Sequence, residues 1–208
     1  MNCTKAVLLG AGLGTRLRPL TYHVTKCLVP IAGRPLLDYW IEQLAFANVS
    51  EALINTHHLV EQVREYIEQV NVRGQLRLIE SYEPQLLGSA GTIAANPDFA
   101  DGADHIVIIY ADNFSDVNVQ DMLAFHCQHD APITMLLYHA PNPKACGIVE
   151  LDAQNRIIQF EEKPKQPVSD LANAGVYIFD ANAYQQIAAM KAFDLGFDLL
   201  PKFIGKMR

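Results

Sequence analysis

The chain has 208 residues, enough for one α/β domain with a sizeable core and too short for two large ones. Half of its residues are hydrophobic and 19% are charged, as in an ordinary globular protein, and its net charge of −7 disfavours non-specific binding to nucleic acid. The longest apolar runs fall far short of a membrane span, and the N-terminal MNCTKAV has no signal-peptide hydrophobic region.

KAVLLG reads as a buried strand, followed by the loop Gly10–Lys26, GAGLGTRLRPLTYHVTK. Pro35 is placed to open a helix at its first position, and Leu37, Trp40, Ile41 and Leu44 recur at helical spacing. EALINT is a second strand, and in LVEQVREYIEQV the residues Val60, Val63, Ile67 and Val70 mark one helix face. LRLIES is a third strand and HIVIIYA a fourth, apolar enough for a central parallel strand covered on both faces. Alternating strands and helices imply βαβ units and an open parallel sheet. After about Asp130 the pattern changes. PITMLLYHA, GIVELDA, RIIQFEEK and AGVYIFD are strands with mostly short connections, so an added, partly antiparallel layer is expected. The chain reads as one domain, 1–208, with a nucleotide-binding half (1–130) and an acceptor half (131–208).

Ligands of open α/β sheets bind at the carboxyl ends of the strands, which yields three candidate sites. The first is the opening loop. Its glycines let a backbone approach phosphate oxygens, consecutive amides can form an anion nest, and Arg16 and Lys26 add positive charge. It is not a dinucleotide fingerprint, because Thr15 stands where G-x-G-x-x-G needs glycine, and that disfavours a Rossmann oxidoreductase. It is not a P-loop either, because Lys26 is flanked by Thr25 and Cys27. Two cations on a long loop suit a triphosphate, against the plainer alternative of a glycine-rich turn with exposed cations.

The second candidate is Asp112, directly after HIVIIYA. A carboxylate there is costly unless paired or bound to a cation, and Mg²⁺ is its natural partner. Asp116 reads as a cap for a helix beginning near Val117. The third is FEEKP, where Lys163 suits a second phosphate and Glu162 a sugar hydroxyl. LGSAG (Leu87–Gly91) is either a close-approach loop for a base or ribose or the turn that starts a helix. Cys3, Cys27, Cys127 and Cys146 show no C-x-x-C spacing and read as scattered thiols of a reducing cytoplasm. His57 and His58 are adjacent, and His126 and His129 lie three apart on one expected helix. No acidic or cysteine partner near them in the sequence completes a metal set.

Taken together, these stretches resemble the sugar-1-phosphate nucleotidylyltransferases, in particular the branch like mannose-1-phosphate guanylyltransferase. The loop is similar to that family's G-x-G-T-R-x-x-P-L-T…P-K signature through Gly12, Gly14, Thr15, Arg16, Pro19, Leu20, Thr21 and Lys26, with Cys27 where many relatives have proline. LLGSAGTI, YADNFSD, CGIVE, FEEKP and NAGVYIF resemble the family's later segments, in order. The resemblance implies a Rossmann-like fold of the glycosyltransferase-A type. It implies attack of a sugar-1-phosphate on the α-phosphate of a nucleoside triphosphate, with Mg²⁺ as cofactor.

On this likeness Arg16 steadies the leaving pyrophosphate, Lys26 contacts the transferred phosphate and Asp112 holds the metal. Lys163 grips the sugar phosphate, while Gly147, Glu162 and Asn173 read the sugar. Leu9, Gly10, Ala11 and Gly88 face base and ribose. GTP with mannose- or heptose-1-phosphate is favoured. UTP or CTP with N-acetylmuramate-1-phosphate or phosphocholine is the alternative, and a non-catalytic sugar-nucleotide sensor on the same fold is the rival reading. Relatives carry a further metal aspartate beyond a segment like DLGFDLLPKFIGKM, so a C-terminal truncation relative to the family is expected. Neither nucleic acid nor membrane is expected as a partner, and the oligomeric state, a homo-oligomer included, is open.

Overall fold

The computed structural model describes residues 3–208. Strand β1 (Thr4–Leu9) leads into the loop, whose short 3-10 turns end at Leu28. A two-residue hairpin, β2 (Pro30–Ile31) and β3 (Arg34–Pro35), precedes helix α1 (Leu36–Phe46). Then come β4 (Glu51–Thr56), α2 (Val60–Arg73), β5 (Arg77–Tyr82), α3 (Gly88–Ala95) and β6 (His105–Tyr110). The second half holds α4 (Val119–His126), β7 (Ile133–His139), β8 (Gly147–Leu151), β9 (Ile157–Glu162), β10 (Leu171–Asp180) and α5 (Ala181–Ala188).

Apart from the hairpin, these strands form one sheet, ordered β5-β4-β1-β6-β10-β8-β9, with β7 pairing along β10. The first four run parallel. β10 is antiparallel to β6, and the antiparallel strands extend that same sheet. Alternation along the strands builds a core on each face. Val7, Leu9, Ile106 and Ile108 point to one face, against Ile93, Tyr184 and Ile187. Ala6, Leu8, Val107 and Ile109 point to the other, against Leu37, Trp40, Ile41, Leu44, Val63 and Val70. The four α1 anchors are fully buried, each contributing about 1.5–3 kcal/mol relative to exposure.

Two local expectations are corrected. Pro35 does not open α1: it pairs with Pro30 in the hairpin and flanks the helix in an extended conformation. Asp116 does not cap α4. That helix begins later, and Asn118 is its cap, its side chain accepting from the amides of Gln120 and Asp121. The backbone hydrogen bonds at the helix start explain the choice, because only an oxygen one residue before Val119 reaches those two amides.

Candidate active site

The parallel strands all deliver their carboxyl ends to one edge of the sheet. The Gly10–Lys26 loop follows β1, Asn55 lies one residue before the end of β4, Glu83 follows β5 and Asp112 follows β6. Because β10 runs the other way, its start brings Asn173 to the same edge. β8 and β9 pair Gly147 with Glu162, which puts Lys163 beside them. The result is a cavity of about 1030 Å³ lined by Arg16, Lys26, Asp112, Gly147, Glu162, Lys163 and Asn173, among others. Seven sequence-predicted residues from both halves of the chain are thus brought together.

Within the cavity Lys26 and Asp112, 86 residues apart in the chain, form an ion pair between their Nζ and Oδ2 atoms. Both side chains keep partial exposure, so each can exchange its partner for a ligand. In the same cavity, Lys163 Nζ lies 3.8 Å from Glu162 Oε1 and 5.3 Å from the Phe197 ring centre. Lys163 itself sits at φ 52°, a strained conformation for a non-glycine residue that turns its side chain out of the strand line. Burial raises the Glu162 carboxyl above its usual range, Lys163 opposes the shift and Asp194 adds to it.

Gly147 is fixed by this packing, since a Cβ there would meet Glu162 Oε2 at 2.5 Å and the Phe160 ring at 2.9 Å. Asn173 donates to Tyr177 Oη at 2.6 Å and accepts from the Gly175 amide at 2.9 Å. Its side chain thereby holds a bulge in β10, where the register against β7 shifts between Asn173 and Tyr177.

The glycine loop is tied to β4 where it leaves β1. The amides of Gly10 and Ala11 both donate to Asn55 Oδ1, at 2.7 and 3.1 Å. Asn55 thus anchors the first two residues of the loop to β4. Gly12 and Thr15 stay exposed on the outer loop, with Gly14 half-buried between them. Gly14 has φ 61°, and a Cβ on it would approach Thr21 Cγ2 to 2.7 Å. Thr21 in turn donates to the Gly14 carbonyl at 2.7 Å, closing the loop on itself. Gly88 is the first residue of α3, so LGSAG is a helix start, packed against the Phe193–Leu195 segment.

Four residues of the site were not singled out from sequence. Asn55 also donates to Glu83 Oε1 at 2.9 Å and Thr92 Oγ1 at 2.8 Å. Thr92 donates to Glu83 Oε1 at 2.6 Å, and the Leu87 amide to Glu83 Oε2 at 3.0 Å. This buried network ties the glycine loop, β4, β5 and α3 into one frame, but its members lie in four separate segments with no shared motif. The fourth is Asp194, which lines the same cavity and accepts from Ser89 at 3.3 Å. Its signal was the D-x-G of DLGFD, read only as a family landmark.

Cys27, at the base of the loop, is fully buried, and burial pushes its thiol up to about 11. In the native protein at neutral pH, a thiol reagent should modify the exposed Cys127 and spare Cys27 until the chain is unfolded. Peptide mass spectrometry reads this out, and equal native labelling of both would contradict the packing described.

An α/β sheet with a cation-bearing glycine loop after β1 and a carboxylate after the neighbouring β6 places these charged groups at the switch point of the fold. Residues 5–207 match the family model described as nucleotidyl transferase, and the chain belongs to that family. It is 32% identical over 187 residues to the mannose-1-phosphate guanylyltransferase catalytic subunit beta of Drosophila melanogaster, covering 89% of this chain and 51% of that protein. It is 29% identical over 217 residues to a UTP–glucose-1-phosphate uridylyltransferase of Synechocystis, covering 96% and 55%. The chain thus spans about half the length of these curated relatives. A crystal structure of a candidate glucose-1-phosphate thymidylyltransferase from Bacillus anthracis superposes with a TM-score of 0.82 at 24% identity. That match covers 91% of this chain and 76% of the other, and shows the shared fold.

Proposed function

We propose that this chain catalyses nucleotidyl transfer from a nucleoside triphosphate to a sugar-1-phosphate. The observation that carries the reading is that the Lys26–Asp112 pair and the Lys163–Glu162 pair line one cavity. A phosphate oxygen of the sugar-1-phosphate attacks the α-phosphorus, the bond to the bridging oxygen breaks, and pyrophosphate leaves with that electron pair. The protein's work is positioning and charge stabilisation. Lys163 holds the acceptor phosphate, beside Glu162, Gly147 and Asn173 at the sugar. Lys26 turns from Asp112 to the transferred phosphate, and Arg16, exposed on the loop, steadies the departing pyrophosphate.

The donor set suits Mg²⁺: a half-buried carboxylate that already takes a cationic partner, in a cavity that would admit phosphate oxygens and water. Asp112 would hold the ion, with Asp194 the other aspartate on the cavity wall. When bound, Mg²⁺ supplies neutralisation of phosphate charge. GTP with mannose- or heptose-1-phosphate is the favoured pair, supported by the guanylyltransferase named among the relatives. The uridylyltransferase named beside it keeps UTP as the alternative.

Measuring pyrophosphate release for each nucleoside triphosphate against a panel of sugar-1-phosphates identifies the pair. In the productive pair, Lys163→Ala should raise the KM for the sugar phosphate by tenfold or more, about 1.4 kcal/mol of lost binding, with little change for the nucleotide. An equal rise in both KM values would contradict the assignment of Lys163 to the acceptor.

A further inference from the structure

Three side chains meet at the edge of the sheet opposite the cavity. His105 opens β6 and Asp180 ends β10, and the two are cross-strand partners. His126 is the last residue of α4, and its side chain is buried beneath them. His129, expected on the same helix, lies beyond its end. His126 Nε2 lies 3.0 Å from Asp180 Oδ1, and His105 Nδ1 lies 3.3 Å from the same oxygen. The two rings stand edge to face, with centres 4.9 Å apart. The ligand atoms of all three residues lie within 4.8 Å of one another, the one such group among the described residues. The acidic partner that the histidines lacked in sequence is therefore supplied by a strand more than fifty residues further on.

We propose that His105, His126 and Asp180 form a site for a divalent transition metal of the zinc class, separate from the catalytic cavity. Separations of 3.0 and 3.3 Å match the edges of a tetrahedron with metal–ligand bonds of about 2.0–2.1 Å, whose edges are about 3.3 Å. Two imidazoles and one carboxylate are a ligand set that zinc takes, with the fourth position left to water or another ligand.

Two further observations support a built site. Asp180 occupies the N-cap position of α5, where an aspartate ordinarily accepts from the helix amides, yet its side chain makes no capping bond and turns to the histidines. His126 Nδ1 lies 2.7 Å from Thr134 Oγ1, which lies 3.0 Å from His129 Nε2. With a metal on Nε2, Nδ1–H donates to Thr134, whose hydroxyl donates onward to His129. That is the outer-shell support that orients a ligating histidine. Asp112 stands seven residues along from His105, roughly 20 Å away at strand rise. The inference is independent of the function proposed above.

The test is a Co²⁺ titration of the metal-free protein, read by the visible d–d absorption of the bound ion and by its displacement with Zn²⁺. One equivalent should bind in the native chain and equally in Asp112→Asn. Binding should weaken at least about tenfold in both His105→Gln and Asp180→Asn, which alter the rim of the cluster and leave the buried His126 in place. A melting temperature that rises with Zn²⁺ in the native chain, and not in those two variants, is the second expected readout. The proposal is overturned by the absence of a saturable one-equivalent band or by loss of that band in Asp112→Asn. Unchanged affinity in both cluster variants would overturn it equally.

Discussion

Asp112→Asn should lower metal-dependent turnover by about a thousandfold or more while leaving the fold in place. The size follows from what the carboxylate is asked to do. The proposed transfer gathers the charge of a triphosphate and a sugar phosphate into one cavity, and a single preorganised electrostatic group there is worth about 10²–10³ in rate. The metal carries still more of that burden. Asparagine keeps the shape and one oxygen for Lys26, but it removes the charge that attracts a cation. The structural cost is small, because a partly exposed ion pair contributes about 0–1 kcal/mol. The measurement is kcat at saturating Mg²⁺ beside a thermal melt. Turnover within tenfold of the native chain would remove Asp112 from the metal site.

Asn55→Ala should destabilise the protein more than any exchange within the loop itself. It deprives the buried amides of Gly10 and Ala11 of their acceptor, and removes a donor from both Glu83 and Thr92. Each buried group left without a partner costs about 1–3 kcal/mol, so a total of about 3–5 kcal/mol is expected. For a domain of this size that is a fall in Tm of roughly 10 °C. Thr92→Val, which leaves the two amides satisfied, should cost less. The loop of Asn55→Ala should also hold nucleotide less well, because its first two residues are no longer anchored. A drop of only about 2 °C would show that water replaces the asparagine oxygen at little cost.

These two residues also mark where the sequence was readable. The place of Asp112 on the cavity wall was legible because a carboxylate ending a continuous apolar strand has few physical reasons to be there. The places of Lys26 and Arg16 in the cavity were legible from their loop, and that of Lys163 from a strand end. The eight strands of the main sheet and helices α1 and α2 followed from apolar runs and helical spacing, and the four α1 anchors are buried as that spacing required, whereas the β2–β3 hairpin and α5 gave no such signal. Asn55 and Glu83 were not legible. Each looks like a polar residue at a strand end, and only the tertiary pairing of β4 with β5 and α3 turns them into a buried frame. The same holds for the His105–His126–Asp180 cluster, whose members are distant in sequence and meet only because β10 runs antiparallel to β6.

Transfer, rather than mere binding, is the activity proposed for the cavity. It is tested by supplying nucleoside triphosphate labelled at the α-phosphorus, with and without the sugar-1-phosphate, in the presence of Mg²⁺. Label is expected in a nucleotide–sugar product, formed only when the sugar phosphate is present and matched mole for mole by pyrophosphate. Nucleotide binding without transfer of label to any sugar-1-phosphate would contradict it and leave a sugar-nucleotide sensor on the same fold.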